Sequence, residues 1–148
     1  MKKAIRNILA ILLGLVIGSV VNMGLIMTGA DLIPPPEGAD VTSMEGLRAS
    51  MHLFEAKNFV FPFLAHALGT FVGALITALI AASFKMRFAF GIGAAFMLGG
   101  IINSFLLPAP SWFIVLDLVA AYIPMAWLGG KLAMEIPRKK INLTRKKP

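Results

Sequence analysis

Asp117 lies in SWFIVLDLVAAYIPMAWLGGKLA, Ser111 to Ala133, a run that meets the requirement of about 20 mostly apolar residues for crossing a membrane. A carboxylate facing hydrocarbon costs at least about 2.5 to 3.5 kcal/mol, so Asp117 is expected to turn toward protein. Three other polar side chains, Asn22, His66 and Asn103, sit in comparable apolar runs. An aspartate beside a histidine can hold or pass a proton, or bind a cation or a small ligand, and the two asparagines can complete a polar layer around them. The competing use of all four is adhesive: interhelical hydrogen bonds in membranes contribute about 0.6 kcal/mol on average and up to roughly 2.

The four residues share one depth. Asn22 lies six residues before Thr28 at the end of the first run, His66 seven after Phe59, Asn103 four before Leu107 and Asp117 six after Ser111. At a rise of 1.5 Å per residue, each lies roughly 6 to 11 Å inside the same boundary. Asn22 continues a stripe with Gly14 and Gly18, Asn103 continues Gly91, Ala95 and Gly99, and His66 stands seven residues from Gly73 in the stripe Gly69, Gly73, Thr77 and Ala81. Small residues four apart let helices approach closely in lipid, so these stripes mark expected packing faces and direct the polar residues inward.

The elements that must position them are helices. The chain has 148 residues, 58% hydrophobic and 14% charged, with a mean hydropathy of +0.84, a membrane protein's composition. Spans are expected at about 5–28, 59–84, 88–107 and 112–133, leaving no room for a separate soluble domain. The KMR and LPAPS turns are too short for anything but hairpins, so the expected fold is all-α, an antiparallel four-helix transmembrane bundle. In the outer loop, 30–58, three prolines stiffen DLIPPPEGAD. Beyond them, Thr42 and Glu45 have capping-box spacing. Met44, Leu47, Met51 and Phe54 then recur at helical intervals opposite Glu45, Arg48, His52 and Glu55. A short amphipathic helix from about Ser43 to Ala56 is expected there, on the membrane surface or over the bundle mouth.

Charge sets the orientation. The net charge of +7 is concentrated: twelve of the fourteen Lys and Arg precede the first span, lie in the KMR turn, or follow from Lys131 onward. The positive-inside rule then puts both termini in the cytoplasm and the 30–58 loop outside. The basic residues thus serve topology, with no nucleic-acid partner expected, and the tail 134–148 is suited to anionic lipid. The apolar run after MKKAIRN exceeds the 7–15 residues of a signal-peptide core, so an uncleaved first helix is expected.

Several chemistries are unavailable. Cysteine is absent, which removes disulfides, thiolate nucleophiles and thiol redox. His52 and His66 have no zinc-ligand spacing, and neither a nucleophile elbow nor a phosphate-binding glycine loop occurs, so no metal, cofactor or catalytic residue is assigned.

The segments HALGTFVGALITALIAA and LDLVAAYIPMAWLGGKLA resemble the small four-helix inner-membrane proteins of bacteria, a group without an assigned activity. That resemblance implies a bacterial inner membrane and a fold. In size the chain is also similar to the small multidrug-resistance exporters, but their essential acid belongs to the first helix, where this sequence has none within 5–28. Two functions follow: binding or transport of a proton, cation or small ligand at Asp117, His66, Asn22 and Asn103, which for so small a bundle favours a homodimer, or an accessory role docked in a larger membrane complex. A lipid-directed enzyme using Asp and His as acid and base is a third reading, without a nucleophile or metal set to complete it.

Overall fold

The structure is a computed structural model describing residues 2–145, with side chains up to Ile136. Among the described residues every regular element is helical: α1 (Lys2–Leu32), α2 (Met44–Ser50), α3 (Val60–Ile80), α4 (Lys85–Leu106), α5 (Ser111–Ala120) and α6 (Ile123–Arg145), with 3-10 turns at Met51–Leu53 and Ala56–Phe59. Four stretches are long and apolar enough to cross a membrane: Lys2–Leu32, Ala56–Ile80, Lys85–Leu106 and Ser111–Ile136.

Helix ends differ from the apolar windows for local reasons. α1 outlasts its window at both ends and carries Asp31 in its last turn, because backbone hydrogen bonding continues past the apolar residues until Pro34 to Pro36 disfavour helix. α3 stops at Ile80, short of Phe84. There Asn7 of α1 accepts from the Ala82 N–H at 2.8 Å and donates to Ser83 Oγ at 3.0 Å, while the Arg6 side chain donates to Ile80 O at 2.6 Å. These partners replace the bonds another helical turn would have made. Phe84 then takes a left-handed conformation, φ 49°, to enter α4.

The last apolar run is broken. α5 ends at Ala120 and α6 starts at Ile123, with Ala121 and Tyr122 between them. Pro124 explains the position: it has no N–H for the Ala120 carbonyl, and its ring crowds that carbonyl. In the first turn of α6 it does no harm, since that N–H would have had no intrahelical partner. Ala121 N–H still closes α5 on Asp117 O at 2.9 Å, and Ala126 N–H bonds Tyr122 O at 2.8 Å.

α3 is the hub. Its later half runs against the earlier half of α1, and from the middle of both helices the backbones nearly touch: a Cβ added to Gly18 would stand 2.7 Å from Gly69 O, and one added to Gly73 2.8 Å from Gly14 O. Thr77 donates to Ala10 O at 3.1 Å in the same seam. On its other side, α3 packs against α4 and α6 through fully buried Ala74, Ala78, Ala89, Ala126 and Ala133 around Ile92. The stripe expected on the third span is turned away from this core. Gly91, Ala95, Gly99 and Asn103 are exposed, with open space above Gly91 and Gly99, and Gly93 and Gly100 make the close contacts, with Ala126 and Tyr122. Two parallel small-residue rows run along α4, and their spacing alone does not say which one meets α6.

The loop between α1 and α3 is capped by Ser43, whose hydroxyl accepts from Gly46 N–H at 2.9 Å. Thr42, expected as the cap, instead donates through its hydroxyl and its N–H to Asp40 at 2.7 and 2.8 Å. Those two bonds, the hydroxyl's the stronger, hold the Asp40 carboxyl below its ordinary pKa of 3.8. A true capping box forms later, between Glu55 and Asn58. α2 ends at Ser50 and tightens into the 3-10 turn, so the amphipathic helix is shorter than the expected Ser43 to Ala56. Its polar face, Glu45, Arg48, His52 and Glu55, is exposed, while Met51 packs with Phe59 and Phe113. The basic side chains of the tail beyond Ile136, and all of residues 146–148, lie outside the described residues.

Candidate functional site

At the end of the molecule covered by α2, the helices diverge around a cavity of about 440 Å³. Its wall is mainly apolar: Ile26 and Met27 from α1, Leu47 and Met51 from the covering segment, Phe61 from α3 and Phe113 from α5 contribute much of it. Two ionisable side chains line it, His66 and Asp117.

Asp117 is 4% exposed. α3 and α5 bring His66 against it, with Nδ1 2.9 Å from both Oδ1 and Oδ2. Tyr122 closes the set from the α5–α6 break, donating its hydroxyl to Oδ2 at 2.8 Å. Its ring also lies nearly parallel to the imidazole, with centroids 5.8 Å apart and 29° between planes. The phenol is 1% exposed and occupies space left by Gly100, where any Cβ would collide with the hydroxyl. The buried carboxylate is therefore held by two side-chain donors, as a buried acid must be to keep a charge.

The remaining expected site residues are separated from this pair. Asn103 is exposed and lines the cavity from α4, without a side-chain hydrogen bond among the described residues. Asn22 is half-buried where α1 meets α3, its Cβ 3.0 Å from the position a Cβ would take on Gly69. No hydrogen bond joins it to His66 or Asp117 among the described residues, and it does not line the cavity. The layer is thus a contact of His66, Asp117 and Tyr122, with Asn103 at the cavity wall and Asn22 in the neighbouring helix seam.

Tyr122 was not visible as a partner in the sequence because five residues on one straight helix place two side chains about 140° apart. The break brings them together, and its signal was Pro124 two residues beyond the chain's one tyrosine. Thr70 Oγ1, fully buried on α3, has no hydrogen-bond partner among the described residues, and nothing in the structure accounts for it.

Chemically the arrangement can hold a proton shared between carboxylate and imidazole, or a positive charge against them. Among the described residues no group of three or more His, Asp or Glu could hold a metal ion. Comparison with protein-family models, curated proteins and solved structures finds no match to this chain.

Proposed function

We propose that the chain is an integral protein of the bacterial inner membrane, its four long helices crossing as an antiparallel bundle, and that it binds and transports a proton, cation or small ligand through the polar layer in its outer half. The observation that carries this reading is a 4% exposed carboxylate tied to an imidazole in the wall of a mainly apolar cavity. An ionisable pair is a costly way to join helices that already pack through glycine and alanine, so a functional use explains its presence better than adhesion does. The break beside Asp117 supports passage over simple binding. An interrupted helix next to a site can change which side the site faces.

Both termini and the 81–84 turn face the cytoplasm in this reading, with α2 outside, because the basic residues collect at those positions. Side chains such as Ile8, Val16, Val20, Val115 and Val119, 57% to 69% exposed, face the lipid. The basic tail is drawn to anionic lipid at about 1 kcal/mol per residue near the surface. Since the chain has no cysteine, single cysteines report topology cleanly: one at Arg87 should resist an impermeant thiol reagent in intact cells while one at Asp40 reacts, and the reverse pattern would invert the orientation.

Function is tested in proteoliposomes holding a proton gradient and a lumenal pH dye. A low-molecular-weight cell extract should collapse the gradient with wild-type protein and leave it standing with Asp117→Asn. Equal behaviour of the two proteins removes the transport reading. A second reading, an accessory subunit or homodimer, is favoured by the outward row Gly91, Ala95 and Gly99, which leaves α4 open to close docking. Native mass spectrometry from lipid nanodiscs showing only monomer would remove it.

A further inference from the structure

We propose that the ligand of this cavity is an apolar molecule bearing one protonated amine, whose N–H donates to His66 Nε2, and that its binding and the protonation of His66 exclude each other. This rests on reading the cavity as a ligand site and specifies what that site takes.

The atom follows from the hydrogen bonds. His66 Nδ1 lies 2.9 Å from both carboxylate oxygens, and a carboxylate accepts, so Nδ1 carries a hydrogen in every state in which Asp117 is ionised. In the neutral ring Nε2 is then the acceptor. Nε2 has no partner among the described residues and is absent from the buried unpartnered atoms, which comprise Thr70 Oγ1 alone. The imidazole is 18% exposed and lines the cavity. The one open polar atom of the pair therefore faces the space a ligand would fill.

Charge chooses the ligand's head group. Among the described residues the cavity wall holds one carboxylate, one imidazole and no lysine or arginine. Of the elements around the pair, α5 contributes Asp117 and the α5–α6 break Tyr122, while α1, α2 and α4 present no ionisable side chain to the cavity. With neutral His66 and ionised Asp117 the site carries one negative charge away from water, which an ammonium group neutralises and an anion would double. With protonated His66 the site is already neutral and Nε2 bears a hydrogen, so it has no acceptor for an ammonium N–H. Where His66 starts protonated, one proton must leave for each ammonium that enters, and amine affinity falls as the pH is lowered. The body follows from the wall: about 440 Å³ of mainly apolar surface lies in the range of pockets that enclose a drug-sized molecule.

The test compares four probes with one apolar chain, decylamine, decyltrimethylammonium, decanol and decanoate, binding to full-length protein in lipid nanodiscs after subtraction of empty-nanodisc partitioning. Decylamine should bind about tenfold or more tightly than decanol and decyltrimethylammonium, which lack respectively the charge and the N–H, and decanoate should bind least. Decylamine should also release a proton from wild-type protein in weakly buffered acid solution and release none from His66→Gln. If decyltrimethylammonium equals decylamine, the Nε2 contact is wrong; if decanoate binds tightest, the charge assignment is wrong. Either outcome overturns this inference and leaves the cavity a ligand site. Absence of binding by all four probes also overturns it, and the cell-extract experiment then decides separately whether the cavity carries any ligand. The ranking on wild-type protein decides the head group by itself, so a poorly folding variant does not blunt the test.

Discussion

The two ends of the α1–α3 pair are built on opposite rules. Near the α3–α4 turn, glycines bring the backbones together and every polar group named there has a partner: Thr77 on Ala10 O, Asn7 on Ala82 and Ser83, Arg6 on Ile80 O. Near α2, large side chains such as Met27, Phe61 and Phe113 surround a cavity, and the polar pair there keeps one imidazole nitrogen open. Close packing in a membrane depends on small residues that admit the neighbouring backbone, and once they give way to bulky ones the helices part. One end is therefore the anchor of the fold, and the other is free to carry chemistry.

The sharpest way to break this contrast is to remove one member of the pair. His66→Leu leaves Asp117 buried with Tyr122 alone and should destabilise by about 3–5 kcal/mol, read as a loss of thermal stability in detergent. The double substitution His66→Leu with Asp117→Leu should recover much of that loss while abolishing ligand binding. A double variant as unstable as the single one would make the pair part of the anchor.

At the closed end a smaller change suffices. The Gly14→Ala Cβ would stand 2.6 Å from Gly73 O and press on Thr77 Oγ1, and overpacking of this kind costs about 1–3 kcal/mol. Ligand affinity per folded molecule should stay the same, and a parallel drop in affinity would mean that the two ends are coupled.

Much of this contrast was legible beforehand and some was not. Apolar length located four helices long enough to cross a membrane, and the glycine rows of the first two meet, Gly14 and Gly18 against Gly73 and Gly69. α4 offered two, and the one that packs was decided by α6, whose Ala126 and Tyr122 fit Gly93 and Gly100. The facing of His66 and Asp117 could be argued from depth and from the cost of a charge in lipid. Tyr122 could not, because its contact depends on a break that Pro124 signals without fixing how the chain resumes. Thr42 had the capping-box spacing on paper, but both its hydrogens go to Asp40, and Ser43 caps α2 in its place.

Two threonines on α3 sharpen the comparison further. Thr77→Val removes a bond in the closed seam and should cost about 0.6 to 1 kcal/mol. Thr70→Val removes a buried hydroxyl that has no partner among the described residues and should leave stability unchanged or raise it slightly. Equal losses at both positions would show that Thr70 is bonded after all.

The smallest effect concerns the covering segment. Asp40 is held below its ordinary pKa by Thr42, so its contribution is complete above the unfolded value near 4 and is lost only as the pH falls through the lower folded one. Spin labels on α2 should keep their mobility from pH 7 down to about 5 and loosen below roughly 4. Loosening near neutral pH would point to another group.

The central claim, that Asp117 fixes His66 with Nε2 open to a ligand, is tested most directly by nitrogen-15 magnetic resonance of the imidazole. The chain has two histidines, so His52→Gln leaves one labelled ring. In lipid at mildly alkaline pH the spectrum should show a protonated Nδ1 and an unprotonated Nε2, and added decylamine should move the Nε2 signal while Nδ1 stays protonated. A protonated Nε2 with a bare Nδ1, or an Nε2 signal indifferent to the amine, would contradict the account.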